Sequence, residues 1–248
     1  MDSEARRIVN EQWCAQFGLT SAMLRHGGVH VAAAEPGARN EAMSFRLEKS
    51  CIIVARPSMV DRARELVGSL DADAAFTRDV LHRLVGPGCE IDGPSWHGYV
   101  TERTFRGGFD DDVARLERDD PRLLAFLREG DPADWAESGF PCEPAAADPV
   151  TTTYHGIIEH GHLVGAGNMT EWRGRPADVG VLVARNARGG GLATRLAGAM
   201  VAGALLHVDV VRYRALVTNA PSLAVARRLG FEGYGANYRA RLDRTSES

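Results

Sequence analysis

The stretch from Val179 to Thr194 constrains the fold of this chain more than any other. An apolar run, Val179 to Val183, leads into Ala184-Arg185-Asn186-Ala187-Arg188-Gly189-Gly190-Gly191, and helical periodicity then reaches to about His207. A short apolar run, small residues and a long periodic segment read as strand, loop and helix. At such a junction the first amides of the helix lack partners, the helix dipole is positive, and glycines let an anion approach the backbone closely. Arg188 adds a guanidinium for a charge-assisted contact. The loop therefore reads as a phosphate cradle, with an ordinary glycine-rich turn as the competing reading. It lacks the Gly-Lys-Ser/Thr ending of one nucleotide-binding loop and the Gly-x-Gly-x-x-Gly spacing of dinucleotide sites. What it spells is Arg-x-x-Gly-x-Ala.

The elements around this loop follow a regular order. Strand signals at 152–159, 163–172 and 179–183 are separated by turns at His160-Gly161-His162 and Arg173-Gly174-Arg175-Pro176, which predicts an antiparallel meander. After the glycine loop and its helix come a strand at 213–218, a helix at 221–229 and a last hairpin from Phe231 to Leu242. Ahead of the meander, 113–116 reads as a strand, 121–128 as a helix with Pro in its first turn, 132–138 as a shorter helix started by Asp131, and Pro141 to Pro149 as a loop. Arg106-Gly107-Gly108 predicts a boundary, with a smaller α/β domain over 1–106 and a second domain over 107–248. The first domain shows a helix over 4–17, strands at 30–34, 44–48, 51–55 and 98–104, and helices over 59–70 and 75–85.

A second motif stands at Asn219, Ser222, Gly230 and Phe231, where an Asn and a small residue begin a helix that ends at Gly-Phe. With Arg188, Gly191 and Ala193 in the first motif, and one helix and one strand between the two, the chain from about Gly107 to Leu242 resembles the GNAT superfamily of N-acetyltransferases. The resemblance implies an α/β fold with a mixed, mostly antiparallel sheet, a splayed central strand pair and flanking helices. Residues 1–106 then form either a substrate-side domain or a degenerate copy of the same fold. It also implies acetyl-coenzyme A as co-substrate. Val181, Leu182 and Val183 would pair with the pantetheine arm, and Arg188, Gly189, Gly190, Gly191, Leu192, Ala193 and Thr194 would hold the pyrophosphate. Asn219 and Ser222 either contact the pantetheine or adenine end or simply cap their helix.

Direct acetyl transfer needs an unprotonated amine, an oxyanion donor and a proton returned to the leaving thiolate. The resemblance places a carboxylate, Asp178, at the start of the strand before the loop, as acceptor of the amine proton or as a solvated turn residue. Ala226 stands where many relatives have a tyrosine, so Tyr234 and Tyr238 are the substitute acids by proximity. Trp135 and Glu137 fall where the acceptor site is walled in the family, and Trp96, in Trp96-His97-Gly98-Tyr99, is a third candidate for substrate contact. Each also reads as an ordinary packed aromatic or solvated acid.

Composition narrows the function from outside. A formal net charge of -4 argues against a general nucleic-acid binder. Cys14, Cys51, Cys89 and Cys142 lack Cys-x-x-Cys spacing, and His155, His160 and His162 straddle a turn without completing a ligand set, so no metal is expected. Asp110-Asp111-Asp112 reads as a lure for a polycation or as a solvated loop. No apolar run nears the roughly 20 residues of a membrane span, and no signal segment is read at the N-terminus, so the expectation is a cytoplasmic protein with no membrane partner. The sequence thus leads to an acetyl-coenzyme A-dependent N-acetyltransferase acting on a small cationic amine, aminoglycoside-type antibiotics and kasugamycin-like molecules included, as in a resistance enzyme. Acetylation of a protein N-terminus or lysine, and a non-catalytic acyl-coenzyme A sensor, are the alternatives. A homodimer is compatible with all three.

Overall fold

The computed structural model describes residues 1–131, 134–135, 138–140, 152–172 and 175–242. The chain forms two compact units that do not follow its linear order. One holds Met1, Gly98–Ala215 and Asn219–Glu232; the other holds Asp2–His97, Leu216–Thr218 and the chain from Gly233 onward. These compact units divide after His97, with the last strand returning to the N-terminal unit, whereas the boundary expected in chain order lies near Arg106.

The N-terminal unit begins with α1 (Ser3–Phe17), whose first turn is capped by Asp2 accepting from the Ala5 amide at 2.8 Å and whose end is closed by left-handed Gly18. Then come α2 (Ser21–His26), β1 (Gly28–Ala33), β2 (Ala42–Leu47) and β3 (Ser50–Ala55). Every residue of β3 is buried, as its unbroken apolar run demands of a strand covered on both faces. The two helices expected over 59–70 and 75–85 are three: α3 (Val60–Val67), α4 (Ala72–Ala75) and α5 (Arg78–Val85). Asp71 and Thr77 start the second and third of these, accepting from the amides of Asp73 and Ala74 and of Val80. Ala63, Val67, Val80, Leu81 and Leu84 close over Ile53 and Ala55 as one core. Strand β4 (Cys89–Val100) starts nine residues before the expected Gly98.

The second unit carries β5 (Val113–Leu116), α6 (Pro121–Glu129), β6 (Thr152–Glu159), β7 (His162–Trp172), β8 (Arg175–Val183), α7 (Leu192–Leu205), β9 (Val211–Leu216) and α8 (Ala220–Arg228). Four strands form an antiparallel sheet in the order β5-β6-β7-β8, the expected meander. Helix α7 lies on it through Leu196 and Met200. Gly167 of β7 makes room, since a Cβ there would stand 3.2 Å from the Leu196 Cγ. Leu116, Leu123, Leu127, Phe140, Tyr154, Leu163, Ala166 and Leu182 form a further core cluster.

The final strand, β10 (Glu232–Leu242), is one continuous strand rather than the expected hairpin. Its hydrogen-bonding edges are taken by other strands: it pairs antiparallel with β2, from Gly235 opposite Leu47 to Ala240 opposite Ala42, in the order β1-β3-β2-β10-β4. The β1–β3 pairing is parallel and β2–β3 antiparallel. Strand β9 follows β4 at the end of that order, whereas β8 ends the four-stranded sheet, so β8 and β9 are splayed apart although only a short 3-10 turn and α7 separate them in the chain. The molecule is thus a mixed α/β fold with mostly antiparallel sheets and flanking helices. The expected helix over 132–138 shows a helical bond from the Trp135 amide to the Asp131 carbonyl, at 3.3 Å, but lies largely outside the described residues. The loop at 141–149 lies wholly outside them.

Candidate functional site

The splay leaves a cavity of about 580 Å³ in the second unit, walled by Val179–Val183 of β8, Tyr213 and Arg214 of β9, the loop into α7, and Asn219, Ser222, Val225 and Arg228 of α8. As the last strand of its sheet, β8 has one edge hydrogen-bonded to β7 and the other facing away from it. Backbone groups on an unpaired edge are a ready template for an extended chain.

At the end of β8 the chain makes a short 3-10 turn, Arg185–Ala187, and reaches Gly189 at φ +88° and Gly191 at φ +81°. Glycine is required there by the positive φ rather than by crowding, because a Cβ at either position would meet nothing within 4 Å. The left-handed Gly191 turns the chain into α7 with no side chain capping the helix. The first N–H groups to close a turn are those of Thr194 and Arg195, onto the Gly191 carbonyl at 3.0 and 3.1 Å. Those of Leu192 and Ala193 precede them as orphan donors at the positive end of the dipole. An open, uncapped helix N-terminus beside a cavity fits a phosphate or pyrophosphate.

Around this cavity stand Val181, Leu182, Val183, Arg188, Gly189, Gly191, Leu192, Ala193, Thr194, Asn219 and Ser222; Gly190 sits in the loop without lining it. The Arg188 guanidinium holds the Val183 carbonyl at 3.1 Å and Asp134 at 2.7 Å, so it ties the loop to the strand end and to the segment after α6. Asn219 accepts from the Ser222 amide at 3.0 Å, a helix cap that also lies on the cavity wall, which joins the two readings of that residue. The Ser222 hydroxyl is 3.0 Å from that of Tyr213.

Asp178 is the extra residue of a β-bulge: Met169 faces Val179 and Thr170 faces Ala177, and Asp178 between them has φ +52°. The bulge turns its carboxylate to Arg212 at 3.0 Å and Arg214 at 3.2 Å. Burial opposes the Arg212 charge, but Asp178 and Tyr99 more than offset it and hold its pKa above the ordinary value. A substrate amine would have to compete with two cations for Asp178.

The remaining candidates lie elsewhere. Trp135 packs against the second unit's core cluster, and its buried indole nitrogen has no hydrogen-bond partner among the described residues. Glu137 lies outside the described residues. Tyr234, Tyr238 and Trp96 belong to the N-terminal unit. There Tyr234 donates to Asn10, the Tyr238 ring lies 4.9 Å from that of Phe76, and Trp96 packs on Gly233. Asp110 and Asp112 both pair with Arg195. Among the described residues no group of three or more His, Cys, Asp or Glu side chains is placed to hold a metal ion, and no helix is long and apolar enough to cross a membrane.

Sequence reasoning missed three contributors. Tyr213 forms part of the cavity wall, and burial pushes its hydroxyl's pKa up. Gly180 lies directly under the Ser138 carbonyl, which a Cβ would overlap, and buried Asn168 donates to the same carbonyl at 2.9 Å. A glycine inside a strand pattern signals such a close approach, and Gly180 within Val179 to Val183 was that signal.

The second unit is therefore an α/β domain in which a split between two strands opens onto an anion-receptive helix N-terminus. The family model for the acetyltransferase (GNAT) domain matches residues 107–232, just over half of the chain. The chain belongs to the GNAT acetyltransferase family. Among solved structures it is similar to a GCN5-related N-acetyltransferase from Kribbella flavida, at 16% identity over 66% of this chain and 63% of that one, with a TM-score of 0.44. An acetyltransferase of the GNAT family from Colwellia psychrerythraea matches at 15% identity over 62% and 57%, with a TM-score of 0.44. The chain thus spans less than two thirds of the length of these two. A functionally unknown conserved protein from Staphylococcus epidermidis shares the fold at 12% identity, over 78% of this chain and 84% of that one, with a TM-score of 0.52. No curated protein sequence matches the chain.

Proposed function

We propose that the protein transfers an acetyl group from acetyl-coenzyme A to a primary amine of a small, cationic molecule of the aminoglycoside type, kasugamycin-like compounds included. The observation that carries this reading is the 580 Å³ cavity between splayed β8 and β9, bounded by a free strand edge and an uncapped helix N-terminus. The edge offers backbone partners to the pantetheine arm at Val181 to Val183, and the amides of Leu192 and Ala193 offer donors to the pyrophosphate. The amine nitrogen attacks the thioester carbonyl carbon, the C–S bond breaks, the amine proton leaves, and the thiolate takes up a proton. Tyr213 is a phenol hydroxyl in the cavity wall suited to return that proton: it is protonated at neutral pH, as a tyrosine ordinarily is, and burial raises its pKa further. Tyr213→Phe is expected to slow turnover about tenfold or more with little change in coenzyme affinity. Unchanged turnover removes it as the acid.

The direct test is thiol release from acetyl-coenzyme A against aminoglycosides, polyamines, amino acids and peptides. Among the described residues the thiols contribute little background: burial pushes Cys51 up to about 12 and also raises Cys14 and Cys89. Release with aminoglycosides supports the proposal, and release with peptides alone replaces the acceptor. Tight coenzyme binding without turnover on any amine turns the reading into a sensor, which the Ala226 position favours, since this buried residue brings no hydroxyl to α8.

A further inference from the structure

We propose that Arg106 and Arg228 form a recognition site for the 3′-phosphate of the coenzyme's adenosine, so that the protein distinguishes coenzyme A from 3′-dephospho-coenzyme A. This rests on the coenzyme reading above. A second cavity, of about 280 Å³, adjoins the first: Thr194 and Arg228 line both. Its walls are the segment Arg106–Asp110, the first turns of α7 with Thr194, Arg195 and Gly198, and the end of α8 with Arg228 and Leu229.

Small residues shape this notch. The Arg106 amide donates to the Leu229 carbonyl at 3.0 Å, which pins Arg106 beside the end of α8. A Cβ at Gly107 would stand 2.9 Å from the Leu229 Cδ2, and one at Gly198 3.4 Å from the same atom. Larger residues at either position would push the segment off the helices.

The charges in the notch are of two kinds. The Arg195 guanidinium is spent: it bonds both Asp110 oxygens, at 2.7 and 3.0 Å, and Asp112 at 2.5 Å. Arg106 and Arg228 have no hydrogen-bond or ion-pair partner for their guanidinium groups among the described residues. Two arginines among the residues lining one small cavity, with guanidinium groups left unpaired among the described residues, suit a phosphate monoester, which carries more charge than a diester and offers three terminal oxygens. In coenzyme A the 3′-phosphate lies one ribose away from the 5′-pyrophosphate. A pyrophosphate seated on the amides of Leu192 and Ala193 therefore directs the monoester toward the cavity that begins at Thr194.

The experiment titrates the full-length protein with coenzyme A and with 3′-dephospho-coenzyme A at low and at moderate salt. Wild type is expected to bind coenzyme A about tenfold more tightly, with the preference shrinking as salt rises. Arg106→Gln and Arg228→Gln should each reduce the preference, leaving affinity for the dephospho form within about twofold, and Arg106→Lys should restore part of it. Equal wild-type affinity for the two ligands overturns this proposal while leaving the coenzyme reading intact. Variants that weaken both ligands equally overturn it too. Failure of wild type to bind either ligand overturns the coenzyme reading first and this one with it.

Discussion

Strands β3 and β8 are built from the same kinds of residue and have opposite surroundings. Cys51-Ile52-Ile53-Val54-Ala55 lies between β1 and β2, buried throughout. Val179-Gly180-Val181-Leu182-Val183 has β7 on one edge and a cavity along its wall. Apolar sequence brings both strands inside, but only full pairing leaves nothing for a ligand to do. Backbone groups left on an edge lose hydrogen bonds unless water or a ligand supplies them. The splayed unit thus keeps open the place where another chain-like molecule can bind, whereas in the N-terminal unit both edges of β3 are taken by β1 and β2.

Four substitutions probe that contrast. The largest effect is expected at Gly191→Glu, which puts a negative charge beside the amides proposed to hold the pyrophosphate and a side chain at φ +81°. Coenzyme affinity should fall more than about a hundredfold, by calorimetry, because repulsion replaces a charge-assisted contact. Next, Leu81→Ala empties part of the N-terminal core, where Leu81 is fully buried. A loss of about 2–5 kcal/mol is expected in denaturant unfolding, with coenzyme affinity of the folded protein unchanged. Altered affinity would show that the closed unit also shapes the site.

Asp178→Asn removes a counter-charge from Arg212, which is 7% exposed. About 3 kcal/mol of stability should go, moderated by the remaining contact to Tyr99. Full stability with a fall in turnover would instead mark Asp178 as the proton acceptor. The smallest effect concerns His155, whose pKa is lowered by burial and by Arg115, its cross-strand partner. The folded pKa lies below the unfolded value near 6.5, so its neutral form contributes stability above that pH, which is lost as pH falls through the folded pKa. In His155→Gln the decline of melting temperature below pH 6.5 should be shallower, and an unchanged slope would contradict the burial argument.

The loop and the strand order were legible because they rest on local signals: glycines needed at positive φ, Asn219 at a helix start, alternating turns between apolar runs. What escaped depends on distant partners. The return of β10 to β2 rather than to itself is decided by pairing across the chain from Ala42 to Ala240. The engagement of Asp178 by Arg212 and Arg214 follows from a one-residue bulge that periodicity does not reveal. Ala226 truthfully announced a missing hydroxyl. Tyr213, the tyrosine on the cavity wall, sits on β9, which sequence spacing alone does not bring to face β8.

The most direct measurement is amide hydrogen exchange on the full-length protein with and without acetyl-coenzyme A. Slower exchange confined to 181–183 and 189–194, with 28–55 unchanged, is the result expected if the coenzyme completes the free edge of β8 and the turn into α7. Saturable binding without protection at those amides, or protection appearing in β1 to β3 instead, would contradict the assignment of the splayed cleft as the coenzyme site.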